Sequence, residues 1–110
     1  MPYNQSLAKR IRSELEQVPD LQVKKMFGGV AYMVRGNMAC GVHGNDLIIR
    51  VGTKKYDEVL TRPYTKPFDM TGRPMAGWVM VEPDGYRSDN DLKTWIDEGI
   101  DFANSLKAKD

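Results

Sequence analysis

Cys40 and His43 are the side chains in this sequence with the most reactive chemistry, because a thiol and an imidazole can bind zinc or form a nucleophilic pair. A zinc site requires four ligands, or three and a water molecule, and this pair supplies only two. Residues three apart on a β-strand point to opposite faces, so the two side chains are not expected to share an ion. We predict instead that Cys40 is a small core residue beside Met38 and Val42, that His43 is exposed near a turn, and that the chain has no metal site and no cofactor.

No other group of residues meets the requirements of an active site, and we predict that the chain is not an enzyme and has no catalytic residues. The acidic residues of the last predicted helix are typical of a solvated face. Gly28-Gly29 is followed by an alternating strand, whereas a dinucleotide-binding loop has three glycines that open a helix. The string Thr71-Gly72-Arg73-Pro74 is typical of a turn, and the alternative is a small anionic ligand held near Arg73 or Arg50.

The distribution of charge leaves nucleic-acid binding open as an alternative function. The net charge is only +1, but the first 75 residues carry twelve basic and seven acidic side chains, and the remainder is acidic. A mixed-sign solvated surface is the other interpretation, because no helix-turn-helix, zinc-finger or ribonucleoprotein motif is present. Under the nucleic-acid or anion hypothesis, the contacts would be Lys24, Lys25, Arg50, Lys54, Lys55 and Arg73.

The elements that position these residues begin with a helix over residues 5–18, capped by Asn4 or Ser6 and ended by Pro19. The pattern then alternates with period two as far as Val51, which predicts three antiparallel strands and a fourth over residues 23–27. Turn signals separate these strands at Gly36-Asn37 and Gly44-Asn45-Asp46. Gly28-Gly29 is expected to form either a turn or a bulge.

The second half of the chain predicts a short helix over 54–60, an irregular proline-containing stretch and one more strand over 78–82. A last helix follows Ser88, with Asp91 in the position of a capping box. This order predicts an α+β fold: an N-terminal helix, an antiparallel sheet of four to five strands with a short helical insertion, and a C-terminal helix, with both helices on one sheet face. We expect one domain over residues 1–110.

Composition places the domain among cytoplasmic globular proteins. Hydrophobic residues make up 41% of the chain and charged residues 28%, which is close to the globular average. No apolar run approaches the roughly 20 residues that cross a bilayer, so we expect no membrane association. A single cysteine and a start without a signal-peptide pattern favour the reducing cytoplasm.

Three strings together resemble the TfoX (Sxy) N-terminal domain family over residues 5–106: Lys25-Met26-Phe27-Gly28-Gly29, Arg50-Val51-Gly52, and Thr71-Gly72-Arg73-Pro74-Met75-Ala76-Gly77-Trp78-Val79. The resemblance implies an α+β domain and a role in transcription regulation, because full-length TfoX proteins are co-activators of natural competence beside a cyclic-AMP receptor protein. Those proteins carry a second, helical domain. This chain ends at Asp110, so we expect that domain to be missing.

The leading hypothesis from the sequence is therefore a regulatory module that binds another protein or itself. Seven methionines support it, because methionine is frequent on adaptable binding surfaces. The opposing interpretation is structural, with the glycines permitting backbone bends and Trp78 buried in the core. An edge strand is a possible route to self-association unless Pro63 or Pro83 blocks it. The candidate interaction surface consists of Met26, Phe27, Gly28, Gly29, Phe68, Arg73, Met75 and Trp78.

Overall fold

The computed structural model describes residues 3–26, 29–68 and 75–106. The first helix, α1 (Gln5–Glu14), begins at Asn4, whose side-chain oxygen accepts a hydrogen bond from the backbone N–H of Leu7 at 3.0 Å. It ends four residues before the predicted end. The N–H of Val18 bonds to the carbonyl of Leu15, and this turn lets Val18 pack against the core.

The sheet has six strands, one or two more than the sequence predicts, and every pairing between them is antiparallel. The order across the sheet is β1-β2-β3-β4-β6-β5, so β6 lies between β4 and β5. The additional strand is β5, which the sequence analysis assigned to an irregular stretch. The bounds are β1 (Leu21–Met26), β2 (Gly29–Val34), β3 (Asn37–His43), β4 (Asp46–Arg50), β5 (Thr65–Pro67) and β6 (Trp78–Val81).

Tight turns connect β2 to β3 and β3 to β4, close to the glycines that predicted them. Arg35 and Gly36 have φ of 54° and 82° and join β2 to β3, which is the positive-φ pair of a tight hairpin turn. Gly44, with φ of 60°, and Asn45 join β3 to β4. Gly29 is the first residue of β2 and pairs with Met26 across a hairpin, while Gly28 lies outside the described residues.

Both long helices pack on one face of the sheet, as predicted, and the α+β prediction is confirmed. We call this the helix face; it holds the main hydrophobic core. The short helix α2 (Tyr56–Val59) adds the fully buried Val59 to the same core, and α3 (Asp89–Asn104) covers β3 and β4. The strand residues of this core are Val30, Tyr32, Cys40, Val42, Leu47, Ile49, Val79 and Val81.

The opposite face, which we call the outer face, carries a smaller apolar cluster made of Met38, Ile48, Phe68, Met80 and Trp78. The prediction that Met38 packs beside Cys40 is wrong, because β3 contains a bulge. Tyr32 pairs with Cys40 and Met33 pairs with Met38, so the intervening Ala39 has no partner and the alternation shifts by one residue. His43, at the end of β3 opposite Asp46, is half-buried and not exposed as predicted.

The N-terminus of α3 has the cap that the sequence predicts. The side-chain oxygen of Ser88 accepts a hydrogen bond of 3.0 Å from the backbone N–H of Asp91. Two aspartates in the first turn, Asp89 and Asp91, also favour the positive end of the helix dipole.

Replacing the cap by Ser88→Ala is expected to lower the free energy of unfolding by about 1 kcal/mol, because one amide of α3 loses its acceptor. Urea denaturation measures the change. Ser6→Ala is the matched control, since Ser6 lies inside α1, where Asn4 is the cap. It should change stability by less than about 0.5 kcal/mol. Equal effects of the two substitutions on stability would contradict the assignment of Ser88 as the helix cap.

Candidate functional site

Two glycines with left-handed backbone shape one end of the sheet, where β4 ends and β6 begins. Gly52 has φ of 87° and Gly77 has φ of 92°, a conformation that other residues adopt only with strain. The carbonyl of Gly77 accepts hydrogen bonds from the amides of Val51 and Gly52, at 2.8 and 3.0 Å. A Cβ on Gly52 would lie 2.4 Å from the ring of Phe102. The close approach of these segments therefore depends on glycine at position 52.

Arg50, the last residue of β4, is held by aromatic rings at this end of the sheet. The carbon at the centre of its guanidinium lies 5.0 Å from the ring centroid of Trp78 and 5.2 Å from that of Phe102. Both distances are within the range of cation–π attraction. Partial burial lowers the pKa of Arg50, although an arginine remains protonated at any physiological pH.

These residues surround a cleft of about 400 Å³, which we call the Arg50 cleft. Lys54 and Lys55 lie on the exposed turn before α2 and add two further positive charges to its rim. No carboxylate lines the cleft among the residues that the structure describes. Its lining is Arg50, Val51, Gly52, Thr53, Lys54, Lys55, Ala76, Gly77, Trp78, Phe102 and Ser105.

The structure brings together three of the eight residues of the sequence-predicted interaction surface. Phe68 and Trp78 have ring centroids 6.2 Å apart on the outer face, and the amide of Met75 donates to the carbonyl of Phe68 at 3.0 Å. Met26 and Gly29 belong to the β1–β2 hairpin, which β3 and β4 separate from β6, the strand of Trp78. The remaining residues, Phe27, Gly28 and Arg73, lie outside the described part of the chain.

The predicted nucleic-acid or anion contacts separate into two groups. Arg50, Lys54 and Lys55 meet at the cleft. Lys24 and Lys25 lie on the edge strand β1, where they point to opposite faces of the sheet: Lys25 pairs with Val30 of the helix face and Lys24 with the next residue, Ala31. These five cations therefore do not form one continuous stripe.

The Cys40 and His43 side chains lie on opposite faces of the sheet, as their spacing predicts. Cys40 is fully buried, and this burial raises the pKa of its thiol to about 12, so the reactive thiolate is disfavoured at neutral pH. In the part of the chain that the structure describes, no three His, Cys, Asp or Glu side chains form a group that could hold a metal ion.

Thr53, Phe102 and Ser105 are among the site residues that sequence reasoning missed. Phe102 has helical spacing with Leu92, Trp95 and Ile96, which indicated a core position and gave no sign of a contact with Arg50. The signal that would have suggested the site is the pair of glycines at 52 and 77, each beside a strand that also carries an aromatic or cationic residue.

The family of the chain follows from its sequence taken as a whole. The family model of the TfoX N-terminal domain matches residues 13–103. The chain belongs to the TfoX N-terminal domain family. The two strand ends that line the Arg50 cleft, at the end of β4 and the start of β6, lie within the TfoX-matching residues. Comparison with curated proteins finds no match. Among the described residues of this TfoX domain, no helix has the length and apolar character needed to cross a lipid bilayer.

Proposed function

We propose that this TfoX domain is a non-enzymatic regulatory module that acts by binding another protein through the outer face of its sheet. The observation that carries the proposal is the apolar cluster on that face, away from the helices. Met75, 38% exposed, and the half-buried Trp78 lie at its border. Ile48, Phe68 and Met80 of the cluster are themselves buried, and it is the exposed apolar side chains grouped beside them that mark a candidate interaction site. The methionines of the cluster can adapt their shape to a partner.

The charges on the outer face favour a partner of acidic character. Asp46 and Lys66 neutralise each other in an ion pair of 3.1 Å. Lys24 and Arg50 also lie on this face, and neither has a carboxylate partner among the described residues. A protein segment with apolar side chains at its centre and acidic side chains around them would match both the cluster and the flanking cations.

The buried state of Cys40 supports a role without catalysis. Its thiol is enclosed in the core, and the imidazole of His43 lies on the other sheet face, so the pair lacks the geometry of a nucleophile and its base. We therefore expect the domain to act by binding alone. The family suggests transcription regulation in the cytoplasm, with natural competence as the process, and the partner would then be a component of that machinery.

The experiment is affinity purification from the native host after nuclease treatment, followed by a binding titration with the purified partner. Met75→Asp introduces a charge beside the outer-face cluster and should weaken binding at least tenfold. Val23→Asp is the matched control, because Val23 is 40% exposed but lies on the helix face of the edge strand β1.

The two variants separate the possible outcomes. Loss of binding in Met75→Asp with normal binding in Val23→Asp would support the proposal. Equal binding by both variants would exclude the outer face as the docking surface. Retention that disappears with nuclease would mean that the captured proteins are held through nucleic acid, which would reject direct protein binding.

A further inference from the structure

Arg50 differs from the other half-buried arginines in having no hydrogen-bond acceptor among the described residues. Arg10 donates to the carboxylate of Asp89 at 3.2 Å, and Arg62 donates to Glu98 at 2.8 Å. The contacts of Arg50 with the rings of Trp78 and Phe102 hold its guanidinium at the cleft without using its N–H donors in a hydrogen bond to any described residue. A guanidinium whose donors have no acceptor is suited to bidentate binding of a phosphate or carboxylate.

The other cations around Arg50 favour an anion with more than one negative charge. Lys54 and Lys55 border the same cleft, and neither forms an ion pair among the described residues. The hydroxyl of Thr53 is a further donor on the lining. Three cations without a lining carboxylate match the two charges of a phosphate monoester better than the single charge of a carboxylate.

The cleft also has more room than a phosphate group alone would fill. Its volume of about 400 Å³ falls in the range of small-molecule sites, and Ala76, Trp78 and Phe102 supply an apolar wall beside the cations. We infer that the Arg50 cleft binds a small organic phosphate, with the phosphate group on Arg50, Lys54 and Lys55 and the organic part against the aromatic wall.

Among the described residues, the placement of the cations fits a nucleic acid less well than a small molecule. A polynucleotide would need cations that continue beyond the cleft to follow its backbone. Lys24 and Lys25 belong to the far edge of the sheet and do not extend the cleft. The cleft shares Arg50 and Trp78 with the outer face, but the inference does not depend on the proposed protein-binding role, because binding of a small ligand and binding of a protein partner are detected by separate measurements.

The test is a titration of the ¹⁵N-labelled full chain with adenosine 5′-monophosphate as the organic phosphate, at fixed ionic strength. Inorganic phosphate and adenosine are tested separately as the two parts of that probe. We expect the amide signals of Gly52 and Gly77 and the indole signal of Trp78 to shift. The indole of Trp95 should not move, since it donates to the carbonyl of Gly85 outside the cleft. The monophosphate should bind at least tenfold more tightly than either part.

Charge-removing variants show whether the cleft residues hold the phosphate. Arg50→Gln and the double variant Lys54→Gln/Lys55→Gln should each weaken binding about tenfold. The double variant changes only exposed side chains, so it remains informative if Arg50→Gln fails to fold. The matched control is Lys24→Gln/Lys25→Gln, which removes the same charge from the β1 edge and should leave the affinity within twofold of wild type.

Several results would overturn the inference. One is the absence of saturable shifts at Gly52, Gly77 and Trp78 with the monophosphate. Another is equal weakening by the cleft variant and the β1 variant, since that would indicate nonspecific charge attraction. Tighter binding of a single-stranded oligonucleotide, with shifts that spread to Lys24 and Lys25, would assign the cleft to a nucleic acid instead.

Discussion

Between pH 8 and pH 11, the unfolding free energy of the wild-type domain is expected to fall by about 3 kcal/mol more than that of Cys40→Ala. Burial raises the pKa of the Cys40 thiol from its ordinary value of 9.0 to about 12. Above pH 9 the unfolded chain loses this proton while the folded chain keeps it. The stability that the neutral thiol provides is therefore complete below pH 9 and is lost progressively as the pH rises to about 12.

Tyr32, which pairs with Cys40 on the neighbouring strand, lowers the alkaline stability of both the wild type and the variant. Burial and then the nearby Cys40 raise the pKa of Tyr32 to about 12, so its contribution is lost over a similar alkaline range. Urea denaturation under reducing conditions at pH 8 and pH 11 measures the change in each protein. The variant loses a small buried side chain, which costs stability equally at both pH values. A difference between the two proteins that stays constant with pH would contradict the prediction.

Gly99→Ala is expected to lower the free energy of unfolding by about 2 kcal/mol, although alanine is the better helix former. The helix preference favours alanine by about 1 kcal/mol. However, a Cβ on Gly99 would lie 2.3 Å from the carbonyl oxygen of Ala39, at the bulge of β3. Because that oxygen belongs to the backbone, α3 must move away from the sheet, and such overpacking costs roughly 1–3 kcal/mol or more.

Thr94→Ala is the control for this prediction, because Thr94 is an exposed residue of the same helix. It should change stability by no more than a few tenths of a kcal/mol, because alanine is the better helix former and the hydrogen bond that is lost, from the Thr94 hydroxyl to the carbonyl of Asn90, is exposed to water. Thermal and urea denaturation of both variants give the comparison. If Gly99→Ala proved as stable as Thr94→Ala, the close contact between α3 and the β3 bulge would be refuted.

Local signals in the sequence predicted much of the fold. The glycines near positions 36 and 44 marked two hairpins, and Ser88 marked the start of α3, because each acts on the backbone within a few residues. The strand β5 was not predicted, because its three residues are too few to show alternation and it ends in Pro67. The bulge at Ala39 was not predicted, because a small apolar residue fits either face of a sheet and its sequence position does not indicate which.

Several residues of the candidate site could be predicted from the sequence, but their position together in one cleft could not. Arg50, Lys54 and Lys55 were assigned to one hypothetical surface and Trp78 to another, because the sequence positions are separated by more than twenty residues. These residues lie together because β4 pairs with β6, although α2 and β5 come between the two strands in the sequence. Neither periodicity nor turn residues report such a nonlocal pairing.

The two edges of the sheet have a consequence for how the protein resists aggregation. One edge strand, β5, is three residues long and contains Pro67, which has no N–H to offer an incoming strand. The other, β1, carries the exposed Lys24 and Lys25, whose charges would be brought close together if two copies paired there. Both edges therefore oppose the growth of an intermolecular sheet, which protects the chain at high concentration.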